Sequence, residues 1–365
     1  MRRTIGFTIN GQRGEAAMFG LFNLMGYRDR GVTTQQIMSE AVDLVKVADQ
    51  GGFETAWFAE HHFSNYCVCP SPLLMAAHCA GVTERIKLAT GIIVLPLYTP
   101  ARLIAEIGMV DALSNGRLVL GVGSGYQPFE FERFGADLSA AKEQSLEIIE
   151  MIERGLTELV FEHNGAHFKQ PPTHISARSP QGVPPIWVAG DAPEMQALAA
   201  QKGYTPIFTG RLADVAFLET QAQRCKDTFA AQGRNPATMA FGALRFTCVT
   251  DSKEEGRKFA ENALFQNRLA ANLRRRQEVM DDTGMMAELP IEGEPDIDEI
   301  VENLFIGDAE TVAEKVTTLI HRVGMSHIAM FFQVGNFPHD RALRSVEQFA
   351  DKVIPAVKQE LGWTD

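Results

Sequence analysis

The sequence has no apolar run of the roughly 20 residues that a membrane-spanning helix requires. It also has few cysteines, five in all, which is an odd number. Cys67 and Cys69 are separated by one residue, whereas zinc knuckles and dithiol redox motifs have two residues between their cysteines. We therefore predict reduced, mostly buried thiols, and we exclude a membrane-spanning segment and a zinc knuckle.

Positive charge is also scarce. The chain has 34 lysines and arginines against 46 aspartates and glutamates, which gives a formal net charge of −12. Nucleic acids and anionic membranes attract basic surfaces, so we expect neither as a partner. The residues after Met1 lead directly into a strand-like run instead of the apolar core of a signal peptide, and we expect a cytoplasmic protein.

Strand-like and helix-like segments alternate along residues 1–365, which we interpret as one domain. The predicted strands are residues 5–10, the run from residue 55 up to Glu60, and residues 85–96, 117–122, 185–189, 205–208, 241–250 and 327–333. The segments between them contain stretches with the apolar spacing of helices. Eight strands that alternate with helices predict an α/β fold of the (β/α)8 TIM-barrel type.

Three segments interrupt this alternation. Residues 160–168 centre on Asn164 and Gly165, a pair typical of a tight turn, and predict an inserted β-hairpin. Residues 11–31 follow the first predicted strand as a long loop rich in glycine, phenylalanine and methionine. Residues 274–298 follow the helix after strand 7 and combine a basic run with glycine, proline and acids. They suit either a mobile insertion that acts as a lid or a surface linker.

Glu60, His61 and His62 come at the C-terminal end of the second predicted strand, where α/β barrels hold their functional groups. Adjacent residues of a strand point to opposite faces. One histidine is therefore expected to be functional and the other structural. Alternatively, all three are paired with neighbours at the edge of the barrel. A metal site made from these three side chains is disfavoured, because adjacent histidines on one strand do not converge.

Two glycine-containing turns are further candidates for ligand contacts. Residues 121–125 hold three glycines, but their spacing is not that of the dinucleotide-binding fingerprint, and a tight strand-to-helix turn is the simpler interpretation. Residues 190–194 form the turn and the start of a helix, with Pro193 at a position that favours helix initiation.

Longer motifs indicate a family. The block 57–134 contains WFAEHHF and then ATGIIVLPLYTPARLIAEIGMVDALSNGRLVLGVGSGYQPFEFERFG. Later segments read IWVAGDAPEMQALAAQKGY and FIGDAETVAEKV. These motifs resemble the bacterial luciferase-like, or alkanal monooxygenase-like, superfamily of flavin-dependent oxidoreductases. The resemblance extends over most of the chain and also implies a (β/α)8 barrel.

The resemblance implies roles for particular residues. It makes His61 the catalytic imidazole beside the flavin, with Glu60 next to it. It places a non-prolyl cis peptide at Gly91 and Ile92, beneath the isoalloxazine ring. It also places Gly123 and Ser124 beside the ring and the phosphate.

The resemblance assigns the flavin phosphate to the turn made by Gly190, Asp191 and Ala192, whose backbone N–H groups would bind it. Two departures weaken this assignment. Ser124 stands where luciferase has a phosphate-binding arginine. Asp191 and Glu194 stand where luciferase has hydroxyl groups, and a carboxylate opposes phosphate binding unless it points away.

The implied activity is that of a monooxygenase that uses reduced FMN and O2 to oxygenate a small organic substrate. The expected partners are a separate flavin reductase, which supplies FMNH2, and a second copy of the chain, through the helices at residues 71–80 and 100–113. The alternatives are an F420-dependent oxidoreductase of the same superfamily and a flavin-binding protein without turnover.

Overall fold

The computed structural model describes residues 6–9, 12–15 and 18–363. Its strands are β1 Gly6–Ile9, β2 Gln12–Glu15, β3 Met18–Asn23, β4 Thr55–Phe58, β5 Lys87–Thr90, β6 Ile93–Val94, β7 Leu118–Gly123, β8 Phe161–Asn164, β9 Lys169–Thr173, β10 Ile186–Ala189, β11 Thr205–Phe208, β12 Gly242–Val249, β13 Phe305–Gly307 and β14 His327–Phe331. Eight of them form a closed ring of parallel pairs in the order β3, β4, β5, β7, β10, β11, β12 and β14. The predicted TIM barrel is confirmed.

Helices connect these strands. They are α1 Thr34–Gln50, α2 Pro72–Ala80, α3 Pro100–Leu113, α4 Pro128–Phe134, α5 Ala141–Thr157, α6 Pro193–Lys202, α7 Val215–Ala231, α8 Lys253–Arg275, α9 Ile297–Asn303, α10 Ala309–Val323, α11 His339–Gln348 and α12 Ile354–Glu360. Side chains such as Thr33, Asp214 and Ser252 accept hydrogen bonds from the first turns of α1, α7 and α8 and so fix where these helices begin. In the described ranges, no helix is both long and apolar enough to cross a membrane.

The first barrel strand is not the predicted one. Residues 6–9 form β1, which pairs antiparallel with β2 as a separate hairpin, and residues 5 and 10 lie outside the described residues. The barrel position belongs to β3, which the sequence analysis assigned to a loop. This strand lies between β14 and β4 and buries Phe19, Leu21 and Phe22. An apolar run of this kind suits a strand that is covered on both faces.

The hairpin predicted at residues 160–168 begins near its predicted position, but its second strand lies beyond that range, at Lys169–Thr173. Strands β8 and β9 pair antiparallel, with Asn164 opposite Lys169. Helix α8 ends at Arg275, and the chain then runs without regular helix to Ile297, apart from an isolated bridge between Met280 and Met286. All five cysteines are buried and unpaired, as predicted.

Two indoles and one imidazole fill the barrel interior. The ring centroids of Trp57 and Trp187 are 5.2 Å apart, and that of His327 is 4.9 Å from Trp187. Trp57 Nε1–H donates to His327 Nε2 over 3.0 Å. Burial lowers the pKa of His327 to about 3, so the ring is neutral and can accept this bond. A Cβ on Gly20 would lie 2.8 Å from His327 Nε2, which is why this strand position needs glycine.

Candidate active site

A cavity opens at the C-terminal ends of the barrel strands and encloses about 1080 Å³ of space, its open mouth included. Its walls are mostly apolar and come from strands on opposite sides of the barrel: Phe22, Trp57, Ile207, Leu244, Phe246 and Phe331. The groups with polar chemistry lie on the loops that follow the strands. This end of the barrel is where enzymes of this fold bind their ligands.

His61 lies on the cavity wall, beyond the end of β4. Its Nδ1 is 3.0 Å from Oε1 of Glu130, a fully buried carboxylate in the first turn of α4. Burial lowers the pKa of His61, but the charges of Glu130 and Tyr126 outweigh it and raise the pKa to about 9. His61 is therefore an imidazolium at neutral pH and donates Nδ1–H to Glu130. No described residue hydrogen-bonds to Nε2, which leaves that nitrogen free for a ligand.

Glu60 does not pair with His61. Its oxygens accept hydrogen bonds from His62 Nε2 at 3.1 Å, Val94 N–H at 3.1 Å and the Tyr98 hydroxyl at 2.9 Å. Burial raises the pKa of Glu60, although these donors act against that rise. Glu60 borders the cavity, but three donors of the protein already use its carboxylate, and the carboxylate partner of His61 is Glu130.

The two adjacent histidines have different surroundings. The His61 ring lies 4.8 Å from that of Tyr66, inside the cavity, whereas the His62 ring lies 4.7 Å from that of Phe134. His62 also pairs with Glu60, as described above. His61 thus contacts the cavity and His62 does not, while the division into a functional and a structural histidine stays a prediction. Across the described ranges, no group of three or more histidine, cysteine or acidic side chains is placed to bind a metal ion.

Two tyrosines and an arginine continue from His61 along the wall. The Tyr66 and Tyr126 side chains lie beside each other, and Arg211 lies beside Tyr126. Gln127 Nε2 lies 3.1 Å from both the Tyr126 hydroxyl and His61 Nδ1. Burial raises the pKa of Tyr126, but the charges of His61 and Arg211 outweigh it, and the pKa falls below 10.0. Polar side chains therefore adjoin one another along one part of the cavity wall.

The peptide bond between Gly91 and Ile92 is cis, and both residues line the cavity. Gly123 and Ser124 are not among the lining residues. A Cβ on Gly123 would lie 2.3 Å from Ile92 Cδ1 and 3.2 Å from the Ala189 Cβ. The absence of a side chain at Gly123 therefore lets Ile92 pack between the ends of two neighbouring strands.

In the turn before α6, Asp191 lines the cavity, whereas Gly190 and Ala192 do not. The Asp191 carboxylate accepts hydrogen bonds from the N–H and the hydroxyl of Thr209. Glu194 forms an ion pair with Lys142 over 2.9 Å at the surface. Both carboxylates are thus bound to other groups. A fully buried side chain, Gln196, donates to the Gly190 carbonyl over 2.7 Å and holds the turn in place.

Sequence reasoning did not single out several polar groups of the cavity, among them Tyr126, Glu130 and Arg211. Pro128, with Glu130 two positions later, marks the start of α4 and could have drawn attention to Glu130. Arg211 follows β11, at the same end of the barrel as His61. A systematic search of the residues after each predicted strand would have found it.

Comparisons with known proteins identify the family. A family model described as luciferase-like monooxygenase matches residues 18–327. A relative from Acinetobacter baylyi, the oxygenase component of a flavin-dependent trigonelline monooxygenase, is 31% identical over 355 residues, which cover 93% of this chain and 96% of the relative.

Solved structures share the fold at lower identity. The oxygenating constituent of 3,6-diketocamphane monooxygenase from Pseudomonas putida, in complex with FMN, has a TM-score of 0.76 at 19% identity over 94% of this chain and 99% of that chain. The F420-dependent tetrahydromethanopterin reductase of Methanopyrus kandleri has a TM-score of 0.71 at 20% identity over 94% of this chain and 100% of that chain. The family match covers most of the chain, and the chain therefore belongs to the luciferase-like monooxygenase family.

Proposed function

We propose that this protein is the oxygenase component of a two-component flavin monooxygenase, which binds FMN reduced by a separate reductase and oxygenates a small organic substrate with O2. The observation that carries the proposal is His61, an imidazolium on the wall of an apolar cavity, with its Nε2 available to a ligand. Family membership supports the flavin chemistry. The relative named as an oxygenase component supports the separate reductase.

The residues of the cavity fit FMN. The isoalloxazine ring system is flat and largely apolar, and it suits the walls formed by Phe22, Leu244 and Phe246. The phosphate is anionic, and the cavity has Arg211 and Arg274 on its wall. The cis peptide at Gly91 and Ile92 is where the resemblance implies contact with the ring.

Bound FMN, once reduced, would supply the activation of O2. The chain's own residues bind the cofactor and the substrate, exclude water and hold a proton. The apolar wall keeps bulk water from the ring. Glu130 holds His61 in its charged form, so we assign His61 the role of a proton donor at Nε2 in place of a general base. Glu60 acts through its partners, because its carboxylate holds the Val94 N–H and the Tyr98 hydroxyl.

A homodimer and a cytoplasmic location belong to the same proposal. Helices α2 and α3 pack together and expose large apolar side chains: Leu74 at 70%, Met109 at 49% and Leu113 at 57%. Such a surface suits burial against a second copy. The five unpaired cysteines support a reducing compartment.

The test begins with anaerobic equilibrium dialysis of the protein against reduced FMN and, separately, reduced F420. Tighter binding of F420 would favour the F420-dependent alternative. Incubation with FMNH2 and ¹⁸O2 should then label the oxidised product with one ¹⁸O atom. Trigonelline is the first compound to try, because the Acinetobacter relative is named for it. Binding of FMNH2 without labelled product from any of a broad set of substrates would favour a flavin-binding protein without turnover.

A further inference from the structure

Arg211 has an unusual backbone conformation, and neighbouring hydrogen bonds hold its loop in place. Its φ of 34° lies in the left-handed region, which residues other than glycine seldom adopt. The loop on either side is held by Arg245, a fully buried arginine whose Nη1 donates to the Ala213 carbonyl at 2.6 Å and the Gly210 carbonyl at 3.4 Å. Arg245 therefore acts as a positioning residue that fixes the backbone from which the Arg211 side chain enters the cavity.

A second arginine approaches the same tyrosine from another element. Arg211, from the loop after β11, lies beside the Tyr126 side chain on the cavity wall. Arg274, in the last turn of α8, lies with its guanidinium carbon 4.9 Å from the centre of the Tyr126 ring. Tyr126 thus brings two guanidinium groups from distant parts of the chain to one side of the cavity.

The carboxylates that line the cavity leave the positive charges of Arg211 and Arg274 largely available to a ligand. Glu130 pairs with His61, and Glu60 is bonded to three donors. Asp191 accepts from Thr209, although its charge also acts on Arg211. Arg274 forms no ion pair with any described residue. An uncompensated arginine on a cavity wall is notable in a protein with a net charge of −12, because it favours anionic ligands there.

We propose that Arg211 and Arg274 form an anion-recognition site beside Tyr126, which binds a phosphate or carboxylate group of a ligand in the cavity. Guanidinium groups present paired N–H donors that match two oxygens of such a group. The anion has two possible sources, the phosphate of FMN and an acidic group on the organic substrate. Both belong to the proposed flavin monooxygenase, which is presupposed here.

Two matched pairs of probes separate these sources. FMN and riboflavin differ by the phosphate, and benzoate and benzamide differ by the charge of a group of similar shape. Dissociation constants are measured by equilibrium dialysis for the wild type, Arg211→Gln and Arg274→Gln. We expect at least one arginine variant to lose about 10-fold to 100-fold in affinity for the anionic member of one pair, with the neutral member unaffected. Loss for FMN identifies the cofactor phosphate, and loss for benzoate identifies a substrate anion.

Arg275→Gln is the matched control, because it removes the same charge from the next, exposed position of α8, outside the cavity wall. Arg211→Lys keeps the charge but not the paired donors, and it should recover only part of the affinity. Circular dichroism and thermal unfolding show whether Arg211→Gln folds, and Arg274→Gln, at the exposed helix end, provides the test if it does not. The anion site would be overturned if the wild type bound both members of each pair with equal affinity. It would also be overturned if the arginine variants lost affinity for the neutral members as well. Wild-type protein that binds neither flavin would contradict the proposed function as well.

Discussion

The Glu130 carboxylate lies 3.0 Å from Nδ1 of His61 and also accepts the backbone N–H of His62 at 2.7 Å. One buried carboxylate thus orients both the catalytic candidate and the chain segment that carries it. The rise of the His61 pKa from 6.5 to about 9 corresponds to about 3 kcal/mol in favour of the imidazolium.

The pH dependence follows from the direction of this shift. A histidine whose pKa is raised in the folded state contributes stability that is fully present below pH 6.5 and is lost as the pH rises through about 9. Glu130→Gln removes the largest charge that opposes the effect of burial, although Tyr126 and Glu60 remain, so the pKa of His61 should fall. We expect His61 to titrate near pH 9 in the wild type and at a clearly lower pH in Glu130→Gln, as followed by NMR of the imidazole.

Glu132→Gln is the control, since Glu132 is an exposed carboxylate on the same helix that pairs with Arg276. It should leave the His61 titration near pH 9. A His61 pKa that stays near 9 in Glu130→Gln would show that another group stabilises the imidazolium.

The two histidines should respond differently to removal. His61→Ala should keep most of its affinity for reduced FMN while turnover falls about 10²-fold to 10⁴-fold, the usual effect of losing a proton-transfer group. His62→Ala removes one of the three donors to buried Glu60 and should cost about 1–3 kcal/mol of unfolding free energy. Stopped-flow turnover and urea unfolding measure the two effects. Normal turnover in His61→Ala, with loss of turnover in a folded His62→Ala, would transfer the proton-donor role to His62.

Ligand binding should protect the segment that follows α8. This segment is held to the barrel by ion pairs of Arg268 with Glu288 and Glu294 and by the Met286 N–H, which donates to Asn65 at 2.8 Å. Arg274, in the last turn of α8 just before this segment, lines the cavity. If the segment closes over a bound ligand, saturating FMNH2 should slow tryptic cleavage after Arg276 while cleavage after exposed Lys169 is unchanged. An unchanged rate at Arg276 would reject the lid and leave the surface-linker interpretation.

The exposed face of α2 and α3 predicts association. Sedimentation at low micromolar concentration should show a dimer of the wild type, and Leu74→Asp should shift it towards monomer, because a carboxylate is costly to bury at an apolar interface. Leu159→Asp is the matched control, since Leu159 is 74% exposed, comparable to Leu74 at 70%, but lies elsewhere on the surface. A wild-type monomer at this concentration would reject the homodimer.

A methyl group added at Gly20, inside the barrel, should lower the free energy of unfolding. In Gly20→Ala the new Cβ would meet both His327 and Trp57 at less than 3.0 Å, and we expect a loss of about 1–3 kcal/mol in urea unfolding. Gly81→Ala is the control, because Gly81 has ordinary helical backbone angles and its nearest neighbour atom would lie at 3.6 Å. Equal stability of the two variants would mean that the strands shift freely at Gly20.

The sequence was sufficient to predict the barrel, because most strands are short apolar runs that end at glycine, proline or polar residues. The first strand was assigned wrongly because two strand-like runs lie close together near the start of the chain. The choice between them depends on which run lies between β14 and β4, a tertiary relationship that local pattern does not encode.

The residues of the candidate site were predictable only where they belong to one short sequence motif. His61 and Glu60 follow a recognisable strand, but their hydrogen-bond partners do not. Glu130 lies 69 positions after His61 in the chain, and the contact exists only because α4 folds back over the end of β4. The same holds for Tyr126 and Arg211, which come from the loops after different strands. Pairings of this kind are decided by three-dimensional packing.

The indole rings inside the barrel give the protein a built-in optical probe. Trp57 and Trp187 are two of its three tryptophans, and Trp57 also forms part of the cavity wall. Their ultraviolet emission overlaps the absorption band of an oxidised flavin. A flavin held in the cavity would lie within efficient energy-transfer distance of both rings. The intrinsic emission of the unlabelled protein should therefore fall as the cavity fills, so cofactor occupancy can be followed in real time without an extrinsic dye.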